Sequence, residues 1–227
     1  MTRMKTTCAM LAVFVMMIQR AQGISLPGGW GACPKPPVVE DFDINSKPFG
    51  ALYVGTWNEY ERFPVPYEAL IKCGKATYNI IDATTVSVNN TGIREIKIAG
   101  RTLSRYRQSA SGTATIPDPS IPAKLVVSFG GQILSYFAKG NYWVLATDYT
   151  SYALVYSCTS LPFGVAHFDA AWILTRERGV APEDLGALKD LLRDGGVNPD
   201  NFFVVDQTHC TVNSDPFHYL RDQGGNM

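Results

Sequence analysis

Apolar and polar residues alternate with period two along much of this chain. The runs are short and are separated by clusters of Gly, Asn, Asp and Pro, which is the pattern of strands joined by turns. They fall near residues 57–63, 74–81, 85–90, 103–115, 123–129, 141–147, 152–158 and 168–176. Eight such strands with short links predict an all-β fold, a closed eight-stranded antiparallel up-and-down barrel, which leaves no sheet edge exposed. One segment changes period: Leu185, Leu188, Leu191 and Leu192 recur at helical spacing. Pro182 is expected at the first helical position, Glu183 and Asp184 favour the positive end of the helix, and Gly195-Gly196 stops it. The leucine stripe is expected to lie against the outer wall of the barrel. A short ninth strand, Phe202 to Asp206, follows.

Neighbours on a strand point to opposite faces, so the pattern also assigns directions. Val86, Val88 and Asn90 are expected to point inward with Asn89 outward. Leu125, Val127 and Phe129 share one face, and Trp172, Leu174 and Arg176 share a face opposite Ile173 and Thr175. Residues 141–147 and 152–158 are apolar on both faces, and their direction is left open. The run GTWNEYERFP, residues 55–64, places the large indole of Trp57 two residues after Gly55. Some other part of the chain must cover that indole.

The N-terminus reads differently. Arg3 and Lys5 precede an 11-residue apolar run, Cys8 to Ile18, and Ala21-Gln22-Gly23 supplies small residues suited to cleavage, so residues 1–23 read as a secretory signal peptide. The rival reading, a membrane anchor, needs a run of roughly 20 residues. Residues 24–210 then form the barrel domain and residues 211–227 a loose polar tail. The 227-residue chain carries 20 basic and 20 acidic side chains, and cleavage removes Arg3, Lys5 and Arg20, which leaves a net charge of about −3. That balance argues against nucleic-acid binding. Cleavage also removes Cys8 and leaves Cys33, Cys73, Cys158 and Cys210, an even number in a chain bound for an oxidising compartment, for which two disulfides are the expected use. A zinc site is the alternative, but no two of the four have the close spacing of structural zinc ligands. Asn89-Asn90-Thr91 is a glycosylation sequon and fits the same secretory route.

Three segments resemble the signatures of the lipocalins: Gly55-Thr56-Trp57, Thr147-Asp148-Tyr149, and Arg176. The stretches 141–149, 152–158, 171–174 and 205–210 are similar to the apolipoprotein D-like subgroup, and the resemblance spans roughly Cys33 to Cys210. Ser46 to Val54 look inserted and Arg101 to Gly112 lengthened relative to that subgroup, and Asn58 stands where a tyrosine is usual. The resemblance implies that Arg176 lies over Trp57 at the closed end of the barrel near Asp148. It implies pairing of Cys33 with Cys158 and of Cys73 with Cys210. It also implies a ligand pocket lined by Tyr53, Tyr78, Asn90, Phe129, Tyr142, Trp172 and Leu174, mostly aromatic with few polar groups, as suits a hydrophobic molecule.

The function these features imply is a secreted carrier of a small hydrophobic ligand such as a fatty acid, steroid or retinoid-like lipid, with no cofactor and no metal. The alternative is a pigment carrier holding a bilin or carotenoid. An enzyme of the kind that uses a free cavity thiol is not expected, because all four mature cysteines are assigned to disulfides, and His167, His209 and His218 lack metal-ligand spacing. Ile133, Leu134, Tyr136 and Phe137 form an apolar group where a polar loop tip is usual, a candidate contact with a membrane or lipoprotein.

Overall fold

Closure is achieved by one strand that pairs on both of its edges. The computed structural model describes residues 27–44, 53–130 and 139–212. Its strands are β1 (Gly28–Trp30), β2 (Gly55–Arg62), β3 (Ile71–Ile80), β4 (Thr85–Ile98), β5 (Arg101–Thr115), β6 (Lys124–Phe129), β7 (Lys139–Thr147), β8 (Tyr152–Ser160), β9 (Ala166–Thr175) and β10 (Phe203–Val204), with one α-helix, α1 (Leu185–Asp194), before β10. Strands β2 to β9 pair antiparallel in sequence order, and β2 pairs with both β3 and β9, which closes the eight-stranded barrel. All eight expected strands are present, within a few residues of the expected bounds except that β4, expected to end at residue 90, continues to Ile98. Strand β1, which adds to the outer edge of β9, is three residues containing two glycines and has no alternation to read.

Side-chain parity divides the apolar residues into two cores. The inner core holds Trp57, Val86, Val88, Leu125, Val127, Val144, Val155 and Leu174 inside the barrel. The outer core holds Phe63, Leu145, Leu154, Tyr156 and Ile173 beneath Leu188 and Leu192 of α1. Residues 141–147 and 152–158 are apolar on both faces for this reason: one face lines the barrel and the other lies under the helix and the N-terminal strap. The helix begins later than the sequence predicts. Asp184 is non-helical, at φ −98° and ψ 35°, so the helix starts at Leu185 and Pro182 is a buried residue ahead of it. Gly195 and Gly196 end it as expected, with Gly196 at φ +82°.

Two disulfides tie the terminal segments to the wall, Cys33 to Cys158 and Cys73 to Cys210. The lengthening expected at Arg101 to Gly112 is a long ribbon: β4 pairs with β3 only as far as Arg94, and among the described residues β5 pairs with β6 only from Gly112 to Thr115. The ribbon rises at the open end of the barrel and exposes Ile98 and Leu103.

Leu192 is fully buried while Leu191 is only partly so. Leu192→Ala is expected to cost about 2–5 kcal/mol in a urea unfolding experiment. Leu191→Ala should cost less than half as much, and equal losses would show that the stripe does not bury as described.

Candidate ligand-binding site

The base of the barrel is closed by one arginine. The Arg176 guanidinium carbon stands 3.6 Å from the Trp57 ring centroid. Its nitrogens donate to the carbonyls of Thr56 (2.9 Å), Val54 (3.1 Å), Tyr53 (3.2 Å) and Tyr149 (3.1 Å). Burial pulls its pKa below the ordinary arginine value, with Tyr53 and Asp148 acting against that shift, and the planar fork remains the one side chain that can serve so many acceptors at once. Gly55 makes the approach possible. Its φ is +100°, where a side chain is strained, and a Cβ there would come 3.4 Å from Arg176. Asp148 accepts from the backbone of Thr150, Ser151 and Tyr152 at 2.8–3.0 Å and shapes the β7–β8 turn, while the Thr147 hydroxyl caps Tyr149 at 2.9 Å. Tyr149, Phe42 and Tyr53 complete an aromatic floor. Asn58, the departure from the usual tyrosine, donates to the carbonyls of Thr175 (3.3 Å) and Arg176 (2.9 Å) and fastens β9 to β2.

Above this floor lie the residues carried over as pocket lining. Three of them form one hydrogen-bonded group: Tyr78 donates to the Tyr142 hydroxyl at 3.0 Å, and the Tyr53 and Tyr142 hydroxyls are 2.8 Å apart. Burial raises the pKa of all three phenols, so they stay protonated. Asn90 lies opposite Ala76 with a buried amide oxygen that has no partner, and Leu174 is buried in the inner core. Phe129, Tyr142 and Trp172 pack against that core but remain partly exposed. Phe129 sits at the mouth end of β6, beside Gly112 and apart from the tyrosine group.

The alternation missed a charged cluster. A bulge at Tyr60 shifts the β2–β9 register, so that Glu59 lies opposite Leu174 and Arg62 opposite Trp172, both on the lumen side. Tyr60 and Phe63 go to the outer core, and Glu61 points out to Lys189 of α1 at 2.8 Å. Inside, Arg62 meets Glu59 at 2.5 Å and Glu68 at 3.5 Å, and donates to the carbonyls of Glu68 and Ile71. The Trp172 indole N–H donates to Glu68 at 3.2 Å. Glu59 lies flat on Gly74, where an added Cβ would meet its carboxylate at 2.0 Å. The sequence signal for all this was the charge density of Asn58 to Arg62 within a strand; strict alternation from Trp57 turns Glu59 inward correctly but assigns Glu61 and Arg62, beyond the bulge, to the wrong faces.

Burial first, then the neighbouring Glu59, push the Glu68 carboxyl up to about 8 against the pull of Arg62, and burial raises Glu59 as well. Two carboxylates share one guanidinium, so the cluster keeps a proton near neutral pH. Because the folded pKa of Glu68 lies above its ordinary value of 4.5, its contribution to stability is fully present below that value. It is lost as pH rises through about 8.

Two outcomes follow. Glu68→Gln, which is neutral at every pH, should raise stability relative to wild type by an amount that widens from pH 5 to 8.5, on the order of 2–4 kcal/mol at the alkaline end. A gap that is constant across that range in thermal unfolding would contradict the assignment. Arg176→Met should lower stability by about 3 kcal/mol or more, and Arg176→Lys should recover less than half of the loss because one ammonium cannot reach four carbonyls. Full recovery with lysine would reduce the role of the group to charge alone.

Comparison with known proteins agrees with this architecture. The sequence profile of the Lipocalin-like domain matches residues 51–207. Apolipoprotein D of Bos taurus is 37% identical over 180 residues, covering 79% of this chain and 85% of its own. Apolipoprotein D of Oryctolagus cuniculus is 35% identical over 205 residues, covering 90% and 97%. The structure of insecticyanin from the tobacco hornworm, Manduca sexta, superposes with a TM-score of 0.62 at 26% identity, over 83% of this chain and 94% of that one. With its closed eight-stranded barrel and apolipoprotein D-like sequence, the chain belongs to the lipocalin family.

Proposed function

We propose that this lipocalin is secreted and that its ligand occupies the lumen bounded by Tyr53, Tyr78, Asn90, Phe129, Tyr142, Trp172 and Leu174. Membership of the apolipoprotein D-like subgroup makes the protein a carrier of a small hydrophobic molecule. The observation that carries the pocket assignment is residual exposure inside a closed barrel. Asn90, Phe129, Tyr142 and Trp172 point inward yet each keeps partial exposure, which supports unfilled space inside the barrel. An unfilled, largely aromatic lumen over a sealed base takes up one lipophile such as a steroid, fatty acid or retinoid-like lipid. The reading includes no catalytic step, since the four described cysteines are joined as disulfides.

Secretion is supported by the two disulfides and by the exposed position of Asn89 on β4, where a glycan has room. We assign residues 1–23 to a cleaved signal peptide, 24–210 to the barrel domain and 211–227 to a tail; residues 1–26 and 213–227 lie outside the described residues. Contact with a membrane or lipoprotein is assigned to the mouth. Ile133, Leu134, Tyr136 and Phe137 also lie outside the described residues, but the neighbouring ribbon exposes Ile98 at 62% and carries Arg101 and Arg107.

Native mass spectrometry of the secreted protein, with an absorption spectrum and organic extraction, tests the carrier reading. A colourless lipid near one per protein is expected. A visible band from a bilin or carotenoid would move the pigment reading ahead, and a barrel that arrives empty and refuses fluorescent steroids and fatty acids would end the assignment of the lumen as a pocket. Serine at all four of residues 133, 134, 136 and 137 should weaken vesicle or lipoprotein binding, and unchanged binding would remove the mouth contact.

A further inference from the structure

We propose that the lumen selects a lipophile whose polar group is uncharged, an alcohol or a ketone, and discriminates against carboxylates. The inference rests on the carrier reading and follows from counting the hydrogen-bond and charge capacity of the wall.

The tyrosine group offers one donor. Tyr53 is 1% exposed and its hydroxyl lies 2.8 Å from that of Tyr142. The arrangement that uses its proton is donation to Tyr142, which also receives the Tyr78 proton at 3.0 Å. Both lone pairs of the Tyr142 oxygen are then occupied and its own proton is left over. Tyr142 is the partly exposed member of the three, so that proton is directed to the lumen and fits a carbonyl or hydroxyl oxygen. Asn90 offers the complement, a buried amide oxygen without a partner that accepts from a hydroxyl.

Charge decides against an acid. Among the described residues, three arginines lie on the lumen side and all are committed. Arg62 serves Glu59, Glu68 and two carbonyls, Arg94 at the rim donates to Gln108 at 2.6 Å and to the Tyr67 carbonyl at 3.3 Å, and Arg176 serves the carbonyls of the base. Glu59 and Glu68 share Arg62 and keep one proton between them, so the cluster is close to neutral and the described wall has no positive charge to spare. An ionised ligand head would lose its hydration and find no counter-charge to replace it. An alcohol loses only hydrogen bonds that Tyr142 and Asn90 replace.

The test compares two probes of one chain length, dodecan-1-ol and dodecanoate, by isothermal titration calorimetry on the full mature protein. At pH 7.5 the alcohol should bind at least about tenfold more tightly. Equal or tighter binding of dodecanoate would overturn the selectivity while leaving the carrier reading intact, and failure of both probes to bind would overturn the carrier reading with it. The double substitution Glu59→Gln with Glu68→Gln, which leaves Arg62 unpaired, should raise dodecanoate affinity several-fold with little change for the alcohol. If dodecanoate affinity is the same in wild type and in the double variant, the wall charge does not set the preference.

Discussion

The structure depends on sealing one end of a closed sheet. An eight-stranded barrel is a cavity only if one end is shut without filling the middle, and here the shut end is a single guanidinium laid on a single indole and bonded to the carbonyls around it. A guanidinium over an indole contributes about 2 kcal/mol when desolvated, and the carbonyls supply what burial would otherwise cost it. Arg176 follows the last barrel strand and Trp57 belongs to the first, so the same contact fastens the seam at which β2 meets β9. Asn58 doubles that fastening from the β2 side. The floor and the closure are therefore one device.

The curvature of the seam has a consequence higher in the barrel. Strand β2 must bend to pair with β3 on one edge and β9 on the other, and it does so through the bulge at Tyr60. The extra residue reverses the parity of everything beyond it, which sends Phe63 to the helix-covered outer core and Arg62 into the lumen. Glu59, kept inside on the near side of the bulge, and Glu68, brought back over the mouth by the turn Pro66–Glu68, then supply the carboxylates that a buried arginine requires. A charged cluster inside an otherwise apolar barrel is thus the electrostatic complement of a bend that closure demands. Gly74 is the steric complement, since any side chain there would occupy the space taken by Glu59.

These features differ in how far the sequence reveals them. Strand number, the helix and the inward direction of Val86, Val88, Leu125, Val127 and Leu174 are legible because burial imposes period two and period 3.6 directly on residue choice. The cover of Trp57 is legible from topology and family signatures together, since an up-and-down meander returns Arg176 to the end where the first strand begins. The inward turn of Arg62 is not legible by alternation, because a one-residue bulge leaves no mark on composition and inverts every assignment after it. Strand β1 is hidden for another reason: Gly28-Gly29-Trp30 pairs through its backbone alone, and a Cβ at Gly28 would strike the His167 carbonyl at 2.1 Å.

Buried ion clusters are seldom a source of stability, because desolvation offsets most of the attraction between their members. Here two carboxylates face one arginine, and the proton they retain measures how incompletely the charges cancel. An apolar replacement of similar volume would pack at least as well in an ordinary core. In a lumen with unfilled space the comparison changes, since an apolar wall at this position would leave nothing to distinguish one lipophile from another of the same girth. Polar groups fixed on a rigid strand discriminate through the penalty they impose on a mismatched partner more than through the attraction they offer a matched one. The cost of the cluster to the fold and its use in recognition therefore arise from the same desolvation.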